Sequence, residues 1–567
     1  MEPHFTKEKM NQTQLCNYFR VLSRAVLCWL LCMPPVPVPA AQSDGEGQQV
    51  VISRIIVNRS NIFEAPGAEQ SGTAPQPASA AMIAGVNRFH TVTLESVILR
   101  EIGISAGDTV SLADVAEAER RLRNLGIFAS VATNLVTAES GIELHVATRD
   151  NFSLVGGLSG SFLGGIGNVQ LTAGEKNLRG TGNRLTFRLS RTTEGDFRGS
   201  TIFNDLHFFE KPWRAEYRFG RTDEGDFYSF RLSDSFRSLS DRRAWSVAAD
   251  NTERDTTFYS GGVSAIEVPE DRIGLAGSHV WRSGTPERYF RKGLVGSFTQ
   301  IDYAAARGVS AAEITVPEDR RTVYAGGLLG VDNISGYKKV RGIDTLNFTQ
   351  DLRFGASAEI QAGVNFIEDF NTADSNSRAE PALSLVLRKS APVGEHSLVS
   401  AFFSANGDFE ENGLRPWNAT VSFRAFNTAI KNTTLALNTN YTTGEDGSEL
   451  PTQFTLGEDS GLRGYDARQF EGRQRWRLNL ESRYSPGWKL GFVDVGMVGF
   501  FDAGFAAVRS ESSPDVRRSL GAGLRLGSNA FLGRKVMRVD IAVPLDAPAG
   551  ERTDPRLSVA VGQVFRF

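Results

Sequence analysis

Very few side chains in this 567-residue sequence are spaced for bond-making chemistry. The six histidines, His4, His90, His145, His207, His279 and His396, are scattered, and none forms the HExxH spacing of a zinc site. No GxSxG lies between a strand and a helix, and GVSAA (308–312) lacks the second glycine of a nucleophile elbow. Asp223, Glu224 and Asp226 cluster, but a charged loop explains them. The sequence therefore points away from an enzyme and toward a protein without metal or other cofactor. One position stands apart. Arg463 lies in GLRGYDARQF (461–470), after the polar run TTGEDGSEL and before a strand-like segment. A guanidinium offers five donors in a fixed fork, so it is either a solvated loop charge or the centre of an anchor.

The elements that must position such a residue begin with a leader. Lys7, Lys9, Arg20 and Arg24 flank the apolar AVLCWLLCM (25–33), and VPAAQ (38–42) offers cleavage after Ala40 or Ala41. Nine apolar residues followed by PPVPVP are too short to span a bilayer. Residues 1–41 read as a signal peptide. A lipoprotein at Cys32 is disfavoured by the bulky Leu31 before it. Cys16, Cys28 and Cys32 all fall in this segment, so disulfides, thiol catalysis and cysteine-held metals are not expected in the mature chain. A formal net charge of −3 gives no pull toward nucleic acid.

Residues 42–150 read as one compact α+β unit. VVISRIIV (50–57) is a β-branched strand, and 59–86 is a Pro/Gly/Ala-rich flexible insertion. Thr93 is a candidate cap for a helix with Leu94, Val97, Ile98 and Ile102 on one face, ending at Gly103. Ser111 and Asp114 predict a capping box for a second helix, striped by Val115, Ala118, Leu122 and Leu125. IFASVATNLV and GIELHVAT then predict a hairpin, giving the order strand, helix, helix, strand, strand.

From residue 151 to 567 the texture changes to alternating strands separated by turn-rich stretches, such as WRAEYRFGR, KLGFVDVGMVGFFDAG and KVMRVDIAVPL. Glycine, at 57 residues, and phenylalanine, at 37, suit turns and aromatic strand ends. Alternation alone fits a soluble sandwich or a membrane barrel. An unbroken field of this length favours an all-β transmembrane barrel, of about sixteen antiparallel strands at roughly 26 residues per strand and connection. The chain ends in Phe567, with Phe565, Val561, Val559 and Leu557 in the same alternation, broken only by Gln563. That ending is similar to the terminal assembly signal of outer-membrane barrels.

With these features together, the chain resembles the superfamily of BamA and TamA assembly factors, two-partner-secretion translocators of the hemolysin-activator type, and related bacterial surface antigens. Residues 97–131 resemble the helical core of the family's periplasmic POTRA domain, and NLRGTGNRLTF (177–187) its early barrel turn. Leu462, Arg463, Gly464 and Tyr465 match the family's arginine-glycine-aromatic motif, carried on a sixth extracellular loop folded into the lumen. Phe500, Asp502 and Gly504 match the F-x-D-x-G strand that supplies the arginine's partner. Strand parity agrees, since Phe500, Asp502 and Gly504 share a face opposite Val493, Val495, Met497 and Phe501.

The resemblance implies that Arg463 pairs with Asp502, that Tyr465 and Phe500 pack around them, and that Gly464 allows close backbone approach. Glu471 and Glu481 are expected to be solvated or lumenal charges. It also implies a bacterial outer-membrane location with the α+β unit in the periplasm. The partners would be outer-membrane lipid, a polypeptide client met by the POTRA unit, and a cognate secreted exoprotein or assembly accessory proteins. Only one POTRA-like unit is visible, fewer than such relatives usually carry. The function implied is polypeptide insertion or translocation, with a passive porin or a lipid-transport barrel as the alternatives.

Overall fold

The computed structural model describes residues 49–62 and 90–566, apart from 238–240, 286, 347–349, 372–375, 411–412, 447–449, 491–492, 509–513, 528–535 and 547–552. The leader (1–41), most of the insertion and Phe567 lie outside the described residues.

The α+β unit contains β1 (Val50–Ser60), α1 (Glu95–Ile102), β2 (Thr109–Val110), α2 (Leu112–Asn124), β3 (Phe128–Ala138) and β4 (Gly141–Asp150), with sheet order β2-β1-β4-β3. β1 runs parallel to β4, while β3 and β4 form an antiparallel hairpin. Periodic apolar residues of both helices meet the sheet in one core, including Ile52, Ile98, Ile102, Val115, Leu122, Leu144 and Val146. Ser111 and Asp114 form a reciprocal capping box at the start of α2, which typically contributes about 1 kcal/mol. The start of α1 differs from the sequence expectation. Leu94, half exposed, occupies the cap position without a side-chain bond, and Thr93 bonds Asp150 instead. Asp150 is fully buried beside His90, so it takes the hydroxyl that a helix end would otherwise use.

The remaining strands close into an antiparallel barrel, twenty-stranded among the described residues rather than about sixteen. The excess arises at its beginning. Six strands of nine or ten residues, β5 to β10 (Leu154–Leu163, Ile166–Glu175, Arg184–Thr192, Phe197–Asp205, Arg214–Thr222, Asp226–Asp234), follow one another through short turns, far below the assumed spacing. Longer strands follow: β11 (Arg243–Ser260), β12 (Val263–Gly284), β13 (Arg288–Tyr303), β14 (Asp319–Val340), β15 (Gln350–Phe370), β16 (Asn376–Val393), β17 (Ser397–Glu410), β18 (Gly413–Asn427) and β19 (Thr433–Glu445). A small hairpin, β20 (Phe454–Leu456) with β21 (Phe470–Gly472), stands outside the wall. β22 (Gln474–Leu490), β23 (Val493–Ala507), β24 (Arg517–Gly527), β25 (Val536–Pro544) and β26 (Arg556–Val561) complete the circle against β5.

The wall is apolar outside and polar inside. Leu435, Leu480, Met497, Leu520 and Leu524 are exposed, while Asn438, Asn479, Glu481 and Asp502 on the other parity are buried. The α+β unit docks on one end of this barrel. In the turn between β6 and β7, Gly180 accepts from the Leu94 amide at 2.8 Å. Gly180 has φ +73°, and a Cβ there would meet the Val92 carbonyl at 2.5 Å, so glycine is required. Asn177 of the same turn donates to Thr93 Oγ1 (2.8 Å) and accepts from the Gly182 amide (2.8 Å).

Candidate functional site

The connection between β19 and β22, residues 446–473, enters the barrel from the end opposite the α+β unit. Because four more strands precede it than expected, it is the eighth connection on that end, not the sixth, though still third from last. Its hairpin β20–β21 and a core of Leu456, Leu462 and Tyr465 give the loop a fold of its own. The first barrel turns grip its outer side: the Ala467 amide donates to the Gly164 carbonyl at 2.9 Å, and Arg468 pairs with Glu194 at 2.6 Å.

At its tip Arg463 is fully buried. Nε donates to Asp502 Oδ2 at 2.7 Å and Nη2 to Asp502 Oδ1 at 2.9 Å, a bidentate pair. Its guanidinium carbon lies 3.4 Å from the Phe500 ring centroid. Asn479 on β22 braces the pair, donating to both Asp502 Oδ1 (2.8 Å) and the Gly461 carbonyl (2.7 Å). Gly464, at φ +88°, brings the loop against β25, where a Cβ would lie 3.2 Å from Ala542 Cβ. Tyr465 does not touch the ion pair; it packs edge-on to Phe470 and donates to the Arg518 carbonyl at 2.8 Å.

Two further carboxylates meet Arg463. Glu481 Oε1 is 2.8 Å from Nη1, within charge-pairing distance but off-line for a hydrogen bond. Asp540 Oδ2 is 3.5 Å away. Glu481 is thus a buried partner, not a solvated charge, because the inserted loop seals it from the lumen. Glu471 stays half-buried near the Gly261 amide. Arg483, Arg525 and Arg538 complete the network through Glu481 and Asp540. Sequence reasoning missed Asp540, Arg525 and Arg538, although in KVMRVDIAVPL the inward parity of Arg538 and Asp540, against Met537, Val539 and Ile541, was a usable signal. Burial alone would lower the Arg463 pKa, but the charges of Asp502 and Glu481 hold it above the ordinary arginine range. In the same loop, burial raises the Glu458 carboxyl, opposed by a hydrogen bond from Ser558 on β26 and by Arg538.

The C-terminal segment leaves the alternating face expected from Leu557 to Phe567. β26 ends at Val561, Gly562 takes φ +111°, and the chain turns into the barrel. Phe565 is buried there among Ile343, Phe354, Leu398 and Phe426. Arg483 donates to its carbonyl at 3.1 Å and lies 4.7 Å from its ring. Gln563, which interrupts the alternation, accepts from Arg525 at 3.1 Å. The consequence falls on the closing seam, where β26 and β5 share one paired position, Val559 with Phe162.

Fold and site together define a closed β-barrel, apolar outside and charged within, with a loop whose arginine pairs with carboxylates of the wall. Residues 398–565 match the Omp85 superfamily domain. The chain is similar to the outer membrane protein assembly factor BamA of Neorickettsia risticii, 28% identical over 301 residues, covering 47% of this chain and 38% of that protein. It thus spans well under half the length of this curated relative. Among solved structures it is similar to BamA from Haemophilus ducreyi lacking POTRA domains 1–3 (12% identity, 91% of this chain and 85% of that one, TM-score 0.39). It is also similar to CdiB from Acinetobacter baumannii (10% identity, 97% and 98%, TM-score 0.42).

Proposed function

We propose that this protein is an outer-membrane insertase or translocase for polypeptides, working without nucleotide, metal or covalent catalysis. The observation that carries the reading is the seam. A single paired position joins β26 to β5, while β25 and β26 share six and β5 and β6 share ten. A wall that parts at one line offers a client strand two unpaired edges for backbone pairing. The Arg463 network holds the loop on β22, β23 and β25, beside that line, so the lumen stays occluded while the seam moves. The α+β unit acts as a POTRA domain on the periplasmic side, presenting the exposed edge strand β3 to the client. The superfamily match supports the outer-membrane location.

The test locks the seam. Phe162→Cys with Val559→Cys, placed in a chain whose native cysteines all precede residue 33, is oxidised in proteoliposomes offered an unfolded barrel client. Insertion is expected to fall about tenfold and to recover with reductant, while Ala325→Cys with Val364→Cys, a pair across β14–β15, changes nothing. Wild-type insertion by the oxidised seam variant would overturn the reading. A steady ion conductance indifferent to the lock would point to a passive pore.

A further inference from the structure

The arginines of the inner wall fall into two populations. Those around Arg463 are matched by Glu481, Asp502 and Asp540. Four on the inner face of β16 to β22 are not. Arg388 lies over the Phe402 ring at 5.4 Å, and Arg424 donates to Asn438 at 3.3 Å. Arg475 and Arg477 donate to the loop carbonyls of Thr455 and Ser460. None of these four has a carboxylate within 4.0 Å among the described residues. Register places them together: Arg388 pairs with Phe402, Phe402 with Ser422, Ser422 with Asn440, and Asn440 with Arg477. Arg424 and Arg475 sit one inward position to either side, and Arg477 feels both charges, partly offset by the field of Asp502.

A cavity of about 640 Å³ opens on this wall. Arg353, Arg388 and Arg424 line it with Ser422, Asn440 and Phe402, and no carboxylate lines it among the described residues. The nearest negative groups lie behind it: Asp332 is 3.8 Å from Arg353, and the field of Asp344 reaches Arg424. Concentrated positive charge facing an occluded lumen has a cost unless an anion comes to meet it.

We propose that this wall binds an acidic segment of an extended polypeptide during transit, an assignment that rests on the polypeptide-handling function above. Scale favours a peptide over a single oxyanion. Arg388 and Arg424 stand two strands apart, roughly 10 Å, too far for one phosphate, whereas an extended chain sets carboxylates on one face about 7 Å apart. Guanidinium forks pair with carboxylates bidentately, hydroxyls and Asn440 suit a peptide backbone, and Phe402 accepts an intervening apolar side chain. Arg475 and Arg477 join the surface when the loop withdraws and takes its carbonyls with it.

The experiment measures anisotropy of fluorescein-labelled decaglutamate with the purified full chain, against decalysine and decaserine, after heat-modifiable gel mobility has confirmed the folded barrel. Decaglutamate is expected to bind most tightly. Arg388→Gln with Arg424→Gln should weaken it about tenfold, and the corresponding lysine pair should retain most of the affinity. Should the double glutamine variant not fold, Arg388→Gln alone, at an exposed side chain, should weaken binding about threefold. Unchanged binding in the glutamine variants overturns the site, as does equal affinity for decalysine. Displacement by equimolar inorganic phosphate or a phosphorylated lipid headgroup also overturns it, by reassigning the wall to phosphate. No decaglutamate binding by the parent chain, with seam-dependent insertion intact, rejects this site alone. Intact binding with a silent seam lock rejects the insertase reading alone.

Discussion

β14 and β15 share twenty-one paired positions; β26 and β5 share one. Both pairs are antiparallel and built from alternating apolar and polar residues, so backbone chemistry does not separate them. Length and a single turn do. β26 has six residues, and the glycine after it sends the chain inward instead of along β5. The contrast teaches that this barrel is strong around most of its circumference and deliberately thin at one line, with the densest ion network set next to that line.

The largest expected break in this contrast is Arg463→Ala. It leaves Asp502 and Glu481 buried without their shared cation, a loss of about 3–5 kcal/mol. The barrel should lose heat-modifiable gel mobility or bind protease at the released loop; unchanged behaviour on both readouts would reject the anchor. Phe565→Ala comes next. It empties the pocket between Phe426 and Arg483, at about 3 kcal/mol. By freeing the terminal segment to extend β26, it should raise the disulfide yield of the Phe162/Val559 cysteine pair, and a yield unchanged from the parent would show that the tuck does not control the seam.

The smallest effect is expected at Glu458. Burial raises its pKa above the ordinary 4.5, so the docked loop holds an extra proton between that value and the raised one. Docking should therefore weaken as pH rises through this window. Glu458→Gln should remove the dependence and stabilise the docked loop at neutral pH by about 1 kcal/mol. Loop protease protection across a pH series checks it.

Much of this was legible in the sequence because alternation has a physical cause. Parity agrees with the resemblance in putting Phe500, Asp502 and Gly504 on one face, and all three lie on the inner face. The helical stripes and the Ser111 capping box were legible for the same reason, since local periodicity and local hydrogen bonds decide them. What escaped depended on distant placement. Thr93 has the chemistry of a cap, but a buried aspartate 57 residues away takes its hydroxyl. Glu481 looks like any lumenal carboxylate until a loop from above covers it. The strand count failed because an average spacing hides six short strands at one edge. Gln563 was a small irregularity in the pattern, and it marks where the chain leaves the wall.

The placement of Arg463 also makes docking of the loop depend on strand register. Its three carboxylates come from β22, β23 and β25, and each faces inward only if its strand is in register. A slip of one residue in β23 or β25 would turn Asp502 or Asp540 toward lipid. The loop tip would then find a mismatched cradle and stay undocked. A single side chain thereby ties its own docking to the alignment of β22, β23 and β25 at once.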